Sequence, residues 1–436
     1  AFQEIDYKKM FNPIAKWVTQ IDKVERIPEI ISRAYRTALS GRPGPVVISL
    51  PEDILSEKTR TRPLPSFKQE KSDIRVESIE KLRNILLASK KPLLLLGGGS
   101  WTDKSVVSIC EFAEANNLPI ATSFRRLDCV TLKNKNFVGD FGTSGPVSLI
   151  RNMHEVDALF VVGARLGEMT TQGYKMLRPP ILSKKLIHVH ISEEEIGKVF
   201  TPTLGIKASP AEFSERLRDE KLHSSLAHRE WLLKLRQEYL LDKNPGPYNT
   251  DLDLGKAFSS LRDVVSEDCI YTLDAGNHSG WPQRFLDFGR PSRLVGSTCG
   301  SMGYGIPAAI AASIIFPNKL VMGFVGDGGF MMSGLELGTA IQHHAKPVIF
   351  IFNNQNYGTI RMHQEKEYPN RVFGTDLVNP DFVNLARSFG AFAIKVKKTN
   401  EFLPAVKKAI NSQKLSVIEL FVDKRQLSTR MNLNDL

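Results

Sequence analysis

Short apolar runs, each ending in a turn of small or oxygen-bearing residues, alternate with amphipathic stretches of helical period. Apolar runs of this length predict buried parallel strands, and the stretches between them predict helices. The clearest runs begin at Val46, Pro92, Ala158, Leu186, Ile270, Val321 and Val348. Regular alternation of this kind favours the α/β class, with doubly wound parallel sheets covered by helices on both faces.

Polar connectors rich in proline, glycine or charge divide the chain into blocks. The predicted division is residues 1–58, a linker at 59–75, a Rossmann-like central domain at 76–220, a helical linker at 221–250, and a third domain at 251–436. The first block shows one helix, Ile27–Ser40, and one convincing strand. Because this is too little for an independent parallel sheet, we expect the block to be the end of a larger domain.

Composition excludes several classes of protein. Of 436 residues 42% are hydrophobic and 24% charged, which is typical of a soluble globular protein. The formal charge of +11 comes from basic residues spread among acids, so no nucleic-acid partner is predicted. No apolar run approaches the roughly 20 residues of a membrane span. Four scattered cysteines without CxxC spacing predict free thiols in a reducing cytoplasm.

The strongest chemical pattern lies in a predicted βαβ unit. The strands that begin at Val321 and Val348 are separated by a predicted crossover helix, Gly329–His344. Asp327 follows the first strand and Asn354 follows the second, so both should lie at the carboxyl edge of neighbouring parallel strands. Both offer hard oxygen ligands, and this pair predicts Mg²⁺ held jointly by the protein and a diphosphate.

Glycines on either side of Asp327 would let backbone approach an anion closely. A lone Gly-Asp-Gly is more often a tight turn, but the Asn353-Asn354 pair at the next strand end favours the metal–phosphate interpretation. A second loop, Asp274–Trp281, follows another predicted strand. In it Gly276 exposes backbone N–H groups, and Asn277 and His278 can donate to phosphate oxygens.

These segments resemble the thiamine diphosphate motif, and the chain resembles thiamine diphosphate-dependent enzymes of the acetolactate synthase and benzoylformate decarboxylase branch. The resemblance implies the thiamine diphosphate-binding fold, with Mg²⁺ held by Asp327, Asn354 and the backbone carbonyl of Asn356. It implies that Met302 wedges beneath the cofactor, with ordinary helix packing as the alternative. The implied cofactor-binding residues are Gly276, Asn277, His278, Ser301, Met302, Gly326, Asp327, Gly328, Gly329, Asn354, Asn356, Tyr357 and Gly358.

The same resemblance implies decarboxylation of a 2-oxo acid, with or without addition to a second carbonyl such as an aldehyde. The enzyme would then be a transferase or a lyase, working as a homodimer or homotetramer. The expected substrate pocket contains Phe2, Gln3, Ile360 and His363. Acetolactate synthases carry a tryptophan at the position of His363, so histidine there departs from their pattern.

Most of the pyrimidine-binding domain, including the glutamate that activates the cofactor, has no counterpart in the given sequence, and we expect a partial chain. The alternative is a protein that binds the cofactor without catalysis. Some relatives of this branch bind FAD in the central domain and others have lost it; Gly97–Ser100 in that domain is either a phosphate cradle or a structural turn. Arg165 resembles an FAD-binding arginine, which leaves bound FAD open. A third hypothesis, an FAD-dependent oxidoreductase, is disfavoured because the strongest motif belongs to the other cofactor.

Overall fold

The first block pairs two short parallel strands beside three helices. The structure is a computed structural model that describes residues 4–67, 73–180, 182–222 and 226–435. The elements of this block are α1 (Tyr7–Phe11), β1 (Trp17–Gln20), α2 (Ile27–Leu39), β2 (Val46–Ser49) and α3 (Glu52–Ser56). Strand β1 was missed from the sequence because its residues are polar or only half-buried, so no apolar run marks it. A small core of Ile21, Ile30 and Ile54 holds the block together.

The middle block is a six-stranded parallel sheet with the order β5-β4-β3-β6-β7-β8. Its elements are α4 (Val76–Ala88), β3 (Pro92–Leu96), α5 (Asp103–Ala115), β4 (Ile120–Ser123), β5 (Phe137–Phe141), α6 (Val147–Asn152), β6 (Ala158–Val162), β7 (Lys185–His190), β8 (Leu204–Lys207), α7 (Pro210–Leu217) and α8 (Leu226–Asp242). Strands β3 and β6 are buried along their whole length, as the apolar runs predict.

The third block is another six-stranded parallel sheet, with the order β10-β9-β11-β12-β14-β13. Its elements are α9 (Leu254–Ser260), β9 (Ile270–Leu273), α10 (Gly280–Phe285), β10 (Arg293–Gly296), α11 (Gly305–Ile315), β11 (Val321–Gly326), α12 (Asp327–Ser333), α13 (Leu337–Gln342), β12 (Val348–Asn353), α14 (Gly358–Glu367), α15 (Phe382–Ser388), β13 (Phe392–Val396), α16 (Thr399–Asn411), β14 (Ser416–Phe421), β15 (Gln426–Ser428) and β16 (Met431–Asn432). The two parallel sheets confirm the predicted fold class. The exact domain limits stay predictions.

The register of β11 against β12 places the predicted site. Val325 lies opposite Ile351, and Gly326 lies opposite Phe352. Asp327 directly follows the end of β11 and Asn354 directly follows the end of β12, so both emerge at the same edge of the sheet. The expected adjacency of the two strands is confirmed.

The predicted crossover helix, Gly329–His344, is wrong in detail. The structure has α12, a 3-10 turn at Gly334–Glu336, and then α13. Ser333 leaves the helical region at φ −142° and ψ 11°. A Cβ atom at Gly334 would lie 2.5 Å from the ring of Phe330, so this close turn depends on glycine. The segment still connects two parallel strands, but as two short helices joined by a 3-10 turn.

One cluster of buried apolar side chains joins the second and third blocks. It contains Leu86 and Phe160 from the middle block together with Phe258 and Phe350 from the third. The two sheets therefore share a core, and loops from both blocks come close to the same strand ends. Within the described residues, no helix combines the length and apolar character needed to cross a bilayer.

Candidate active site

A cavity of about 360 Å³ lies where β9, β11 and β12 end. Most of the residues predicted from the sequence line it, namely Gly276, Asn277, His278, Met302, Gly326, Asp327, Gly328, Gly329, Asn354, Asn356, Tyr357, Gly358 and Ile360. Ser301 and His363 do not line it; both are exposed, Ser301 in a loop and His363 on α14. Phe2 and Gln3 lie outside the described residues. The structure thus gathers four separate segments around one space.

Asp327 is buried and held in a defined position. Only 2% of the residue is exposed, and its Oδ2 accepts a hydrogen bond of 2.8 Å from Nδ2 of Asn379. The same amide nitrogen donates to Oδ1 of Asn353 at 2.9 Å, which ties the two strand ends together. Burial raises the pKa of Asp327, opposed by its hydrogen bonds. A cation beside this carboxylate would favour its ionised form.

The turn after β12 presents further oxygen atoms. The backbone N–H of Asn356 donates to Oδ1 of Asn354 at 3.1 Å, and Gln355 adopts the left-handed conformation at φ 53°. Oδ1 of Asn356 is buried without a hydrogen-bond partner among the described residues. Because buried acceptors are nearly always paired, this atom fits a site that a ligand or cation completes.

The predicted Mg²⁺ set combines one carboxylate with amide and backbone oxygens. Across the described ranges there is no group of three or more His, Cys, Asp or Glu side chains arranged to hold a metal. The oxygen set of Asp327, Asn354 and Asn356 has the hard chemistry that Mg²⁺ prefers, and it leaves room for ligand oxygens and water. These residues therefore fit the implied ion.

The glycines make the cavity accessible to a bulky anion. A Cβ atom at Gly328 would lie 2.5 Å from the ring of Tyr357, and one at Gly329 would lie 2.9 Å from Oδ2 of Asp274. Gly276 adopts φ +143°, a conformation that favours glycine. Side chains at these positions would fill the space where backbone can approach a diphosphate.

His278 is neutral in the folded protein. The residue is half-buried, and its ring centroid lies 5.4 Å from that of Phe352. Burial lowers its pKa to about 3, and the positive charge of Arg125 acts in the same direction. Its Nε2 is buried without a partner among the described residues. A neutral imidazole offers one hydrogen-bond donor and one acceptor, so it contributes no positive charge to an anion site.

The side chain of Asn277 is already engaged within the protein. Its Nδ2 donates to the carbonyl of Leu427 at 2.8 Å and to Sδ of Met362 at 3.5 Å. The backbone N–H of Asn277 donates to Oγ1 of Thr359 at 3.1 Å. The residue lines the cavity, but its amide group joins the loop after β9 to the end of the chain.

Sequence reasoning assigned no role to Asp274, which organises the loop that carries Met302. The Asp274 carboxylate accepts backbone N–H groups of Ala275 at 2.6 Å and Gly303 at 3.0 Å, and burial raises its pKa. Asp274 directly follows β9, so the strand-end argument used for Asp327 could have found it. Met302 directly precedes Gly303, lines the cavity and is 37% exposed.

Other lining residues come from distant parts of the chain. They are Phe124, Arg125, Thr143, Met169, Val422, Gln426 and Leu427. The side chain of Arg125 donates to the carbonyls of Asp274 and Ser297, both at 2.8 Å. No local pattern marks these positions, because only folding brings them to the cavity.

A second cavity, of about 540 Å³, lies at the carboxyl edge of the middle sheet. Gly98, Gly99, Ser100 and Arg165 line it together. The structure thus brings the glycine-rich turn and the arginine to one space, while the binding of FAD there stays a prediction.

The four cysteines are all unpaired, and of them Cys299 is exposed.

The fold and the first cavity define a doubly wound α/β protein with a polar, glycine-lined site at adjoining strand ends. Residues 79–217 match the family described as thiamine pyrophosphate enzyme, central domain. Residues 274–420 match thiamine pyrophosphate enzyme, C-terminal TPP binding domain. The chain belongs to the thiamine pyrophosphate enzyme family, in its acetolactate synthase-like branch, which confirms the resemblance seen in the sequence.

Several curated proteins are similar over most of the chain. The acetolactate synthase large subunit of Corynebacterium glutamicum is 32% identical over 430 residues, covering 94% of this chain and 67% of that protein. The acetolactate synthase isozyme 3 large subunit of Escherichia coli is 28% identical, covering 97% and 76%. The mitochondrial acetolactate synthase of Schizosaccharomyces pombe is 28% identical, covering 98% and 68%.

Proposed function

We propose that the protein uses thiamine diphosphate and Mg²⁺ to act on 2-oxo acids, by decarboxylation with or without carboligation. The observation that carries the proposal is the placement of Asp327 and the Asn354–Asn356 turn at adjoining strand ends of one glycine-lined cavity. The acetolactate synthase names of the relatives support the carboligase, hence transferase, form over the lyase form. The matched families do not favour an FAD-dependent oxidoreductase.

The residues take separate roles in this proposal. Asp327, Asn354 and the backbone carbonyl of Asn356 hold Mg²⁺, and the backbone around Gly328 and Gly358 receives the diphosphate. Met302, a compliant apolar side chain at the cavity, would support the ring system of the cofactor. When bound, thiamine diphosphate supplies the electron sink that lets a 2-oxo acid lose carbon dioxide. Buried neighbours such as Phe352 and Trp281 exclude water from this space.

The substrate side of the cavity is proposed to begin on α14. Ile360 lines the cavity and is 52% exposed, so it offers apolar surface to a small 2-oxo acid or aldehyde. His363, about one helical turn further along, is exposed outside the cavity and would act at its entrance. A homodimer or homotetramer and a cytoplasmic location belong to the same proposal.

Calorimetric titration with thiamine diphosphate and Mg²⁺ tests the cofactor part. Asp327→Ala removes the only carboxylate of the predicted ligand set, so we expect the affinity to fall at least about a hundredfold. The matched control is Asp263→Ala, because Asp263 is exposed on the surface of the same block. Unchanged cofactor uptake by Asp327→Ala would contradict the proposal.

Turnover separates the catalytic form from the alternative of binding without catalysis. The measurement is carbon dioxide release from a panel of 2-oxo acids, with and without an aldehyde acceptor. Tight cofactor binding without any release would favour the non-catalytic alternative. The flavin absorbance of the purified protein tests the second cavity separately.

A further inference from the structure

The carboxyl-terminal hairpin, residues 426–432, forms one wall of the cavity although it lies outside the third sheet. Its strands β15 and β16 pair with each other. Gln426 and Leu427 line the cavity, and the carbonyl of Leu427 accepts the hydrogen bond from Asn277. The position of this hairpin therefore sets part of the shape of the site.

A single arginine at the turn of the hairpin reaches the middle block. The guanidinium of Arg430 pairs with both carboxylate oxygens of Asp242, at 2.6 Å and 2.8 Å. The same group donates to the carbonyls of Ser144 at 3.2 Å and Gly145 at 3.0 Å. Asp242 ends α8, and Ser144 follows the cavity residue Thr143 in the loop after β5. Arg430 thus connects the hairpin with the end of α8 and with the loop after β5, and both the hairpin and that loop contribute residues to the cavity.

A second arginine also contacts the turn of the hairpin. Arg284, on α10, donates to the backbone carbonyl of Asp242 at 3.0 Å and to that of Thr429 at 2.7 Å. The hydroxyl of Tyr248 also donates to the carbonyl of Thr429, at 2.8 Å. The carbonyl of Thr429, in the turn, therefore accepts hydrogen bonds from both Arg284 and Tyr248.

The Arg430–Asp242 pair is shielded from solvent. The side chain of Arg430 is 24% exposed and that of Asp242 is 14% exposed. Bidentate, charge-assisted bonds in such surroundings are stronger and more directional than surface pairs. The nearby Arg425–Asp423 pair is a contrast, because the two residues are two positions apart and the Arg425 side chain is 58% exposed. That pair is local and joins no blocks.

We propose that Arg430 is a positioning residue for the cavity. Its bidentate pair with Asp242 holds the carboxyl-terminal hairpin against the loop after β5, and this sets the affinity of the site for an organic diphosphate. The inference deepens the proposed function and rests on it, since the diphosphate is the cofactor proposed above. Arg430 itself touches neither the ligand nor the reacting atoms in this role.

Hydrogen exchange of the cofactor-free protein tests, independently of any ligand, whether Arg430 holds the hairpin in place. In Arg430→Gln we expect amide exchange of residues 426–432 and of the loop at 142–146 to accelerate at least tenfold. The matched control, Arg425→Gln, should leave both segments protected. Arg430→Lys keeps the charge but loses the planar fork, so an intermediate rate is expected. Exchange that Arg430→Gln leaves unchanged would overturn the inference.

Titration of the same variants with thiamine diphosphate and Mg²⁺ tests the consequence for the site. Arg430→Gln should raise the Kd at least tenfold, Arg430→Lys less, and Arg425→Gln not at all. In Arg430→Gln, unchanged amide exchange outside residues 142–146 and 426–432 would distinguish this local effect from a general folding defect. Faster exchange with an unchanged Kd overturns the inference and leaves the proposed function intact. Failure of the unsubstituted protein to bind the cofactor overturns the proposed function and the role of Arg430 in it. The exchange data then still show whether Arg430 holds the hairpin against the loop after β5.

Discussion

Asp140 is a carboxyl group that folding removes from water. It lies on β5, 5% exposed, and its Oδ2 has no hydrogen-bond partner among the described residues. Burial raises its pKa to about 7. Between about pH 4 and pH 7 the folded protein therefore retains a proton that the unfolded chain releases. The contribution of Asp140 to the free energy of unfolding therefore falls as the pH rises through this window.

Asp140→Asn should remove that pH dependence because the amide keeps the shape of the neutral acid. We expect the variant and the unsubstituted protein to have similar free energies of unfolding at pH 4. The difference should then grow in favour of the variant, by up to about 1.4 kcal/mol per pH unit, until about pH 7. Urea denaturation from pH 4 to pH 8 measures it, and a difference that is constant with pH would contradict the expectation.

Helix α11 depends on glycine where it meets the sheet behind the cavity. A Cβ atom at Gly305 would lie 2.7 Å from Cγ1 of Val325 and 3.0 Å from Cβ of Asp274. Gly305→Ala should push the helix away from the ends of β9 and β11. Overpacking of this kind costs about 1–3 kcal/mol. Chemical denaturation of the variant would show the loss.

The matched control for this substitution is Gly338→Ala in α13. A Cβ atom there would meet only the ring of Phe389, at 3.6 Å, which is ordinary contact. Alanine should therefore be neutral or stabilise the protein by about 0.5–1 kcal/mol, through its better helix propensity. Equal losses at Gly305 and Gly338 would show that the close approach of α11 does not matter.

Two sheets and their shared core should unfold as one unit. Besides the common apolar cluster, Arg125 carries charge-assisted hydrogen bonds from the loop after β4 into the third block. Arg125 is 3% exposed, and its hydrogen bond to the Asp274 carbonyl is buried while that to Ser297 is partly buried. The connection between the blocks therefore depends on both apolar and polar contacts.

Arg125→Met should weaken the protein by about 2–3 kcal/mol, because one buried and one partly buried carbonyl lose a charged donor. Scanning calorimetry should show one transition, shifted to lower temperature in the variant. Arg229→Met, at an exposed position of α8, is the control and should leave the transition temperature nearly unchanged. Two separate transitions in the unsubstituted protein would contradict a single cooperative unit.

Local patterns were enough to predict seven of the strands (β2, β3, β6, β7, β9, β11 and β12) and the edge at which Asp327 and Asn354 meet. The other strands were not predicted. Strand period, helix period and polar residues at strand ends are properties of neighbouring residues, and parallel β-α-β connections convert them into a common edge. The same reasoning failed for β1, whose residues are half-buried, and for the single helix expected over Gly329–His344, where Ser333 and Gly334 break the crossover.

The rest of the site was decided when the chain folded. Arg125, Gln426 and Leu427 reach the cavity from segments far apart in the sequence, and Arg430 meets Asp242 across 188 positions. Neighbouring residues in the sequence do not predict these long-range contacts, because the contacts depend on how the two sheets pack around one core. Burial likewise sets the charge of His278 and Asp140, because the removal of water that shifts their pKa values exists only in the packed protein.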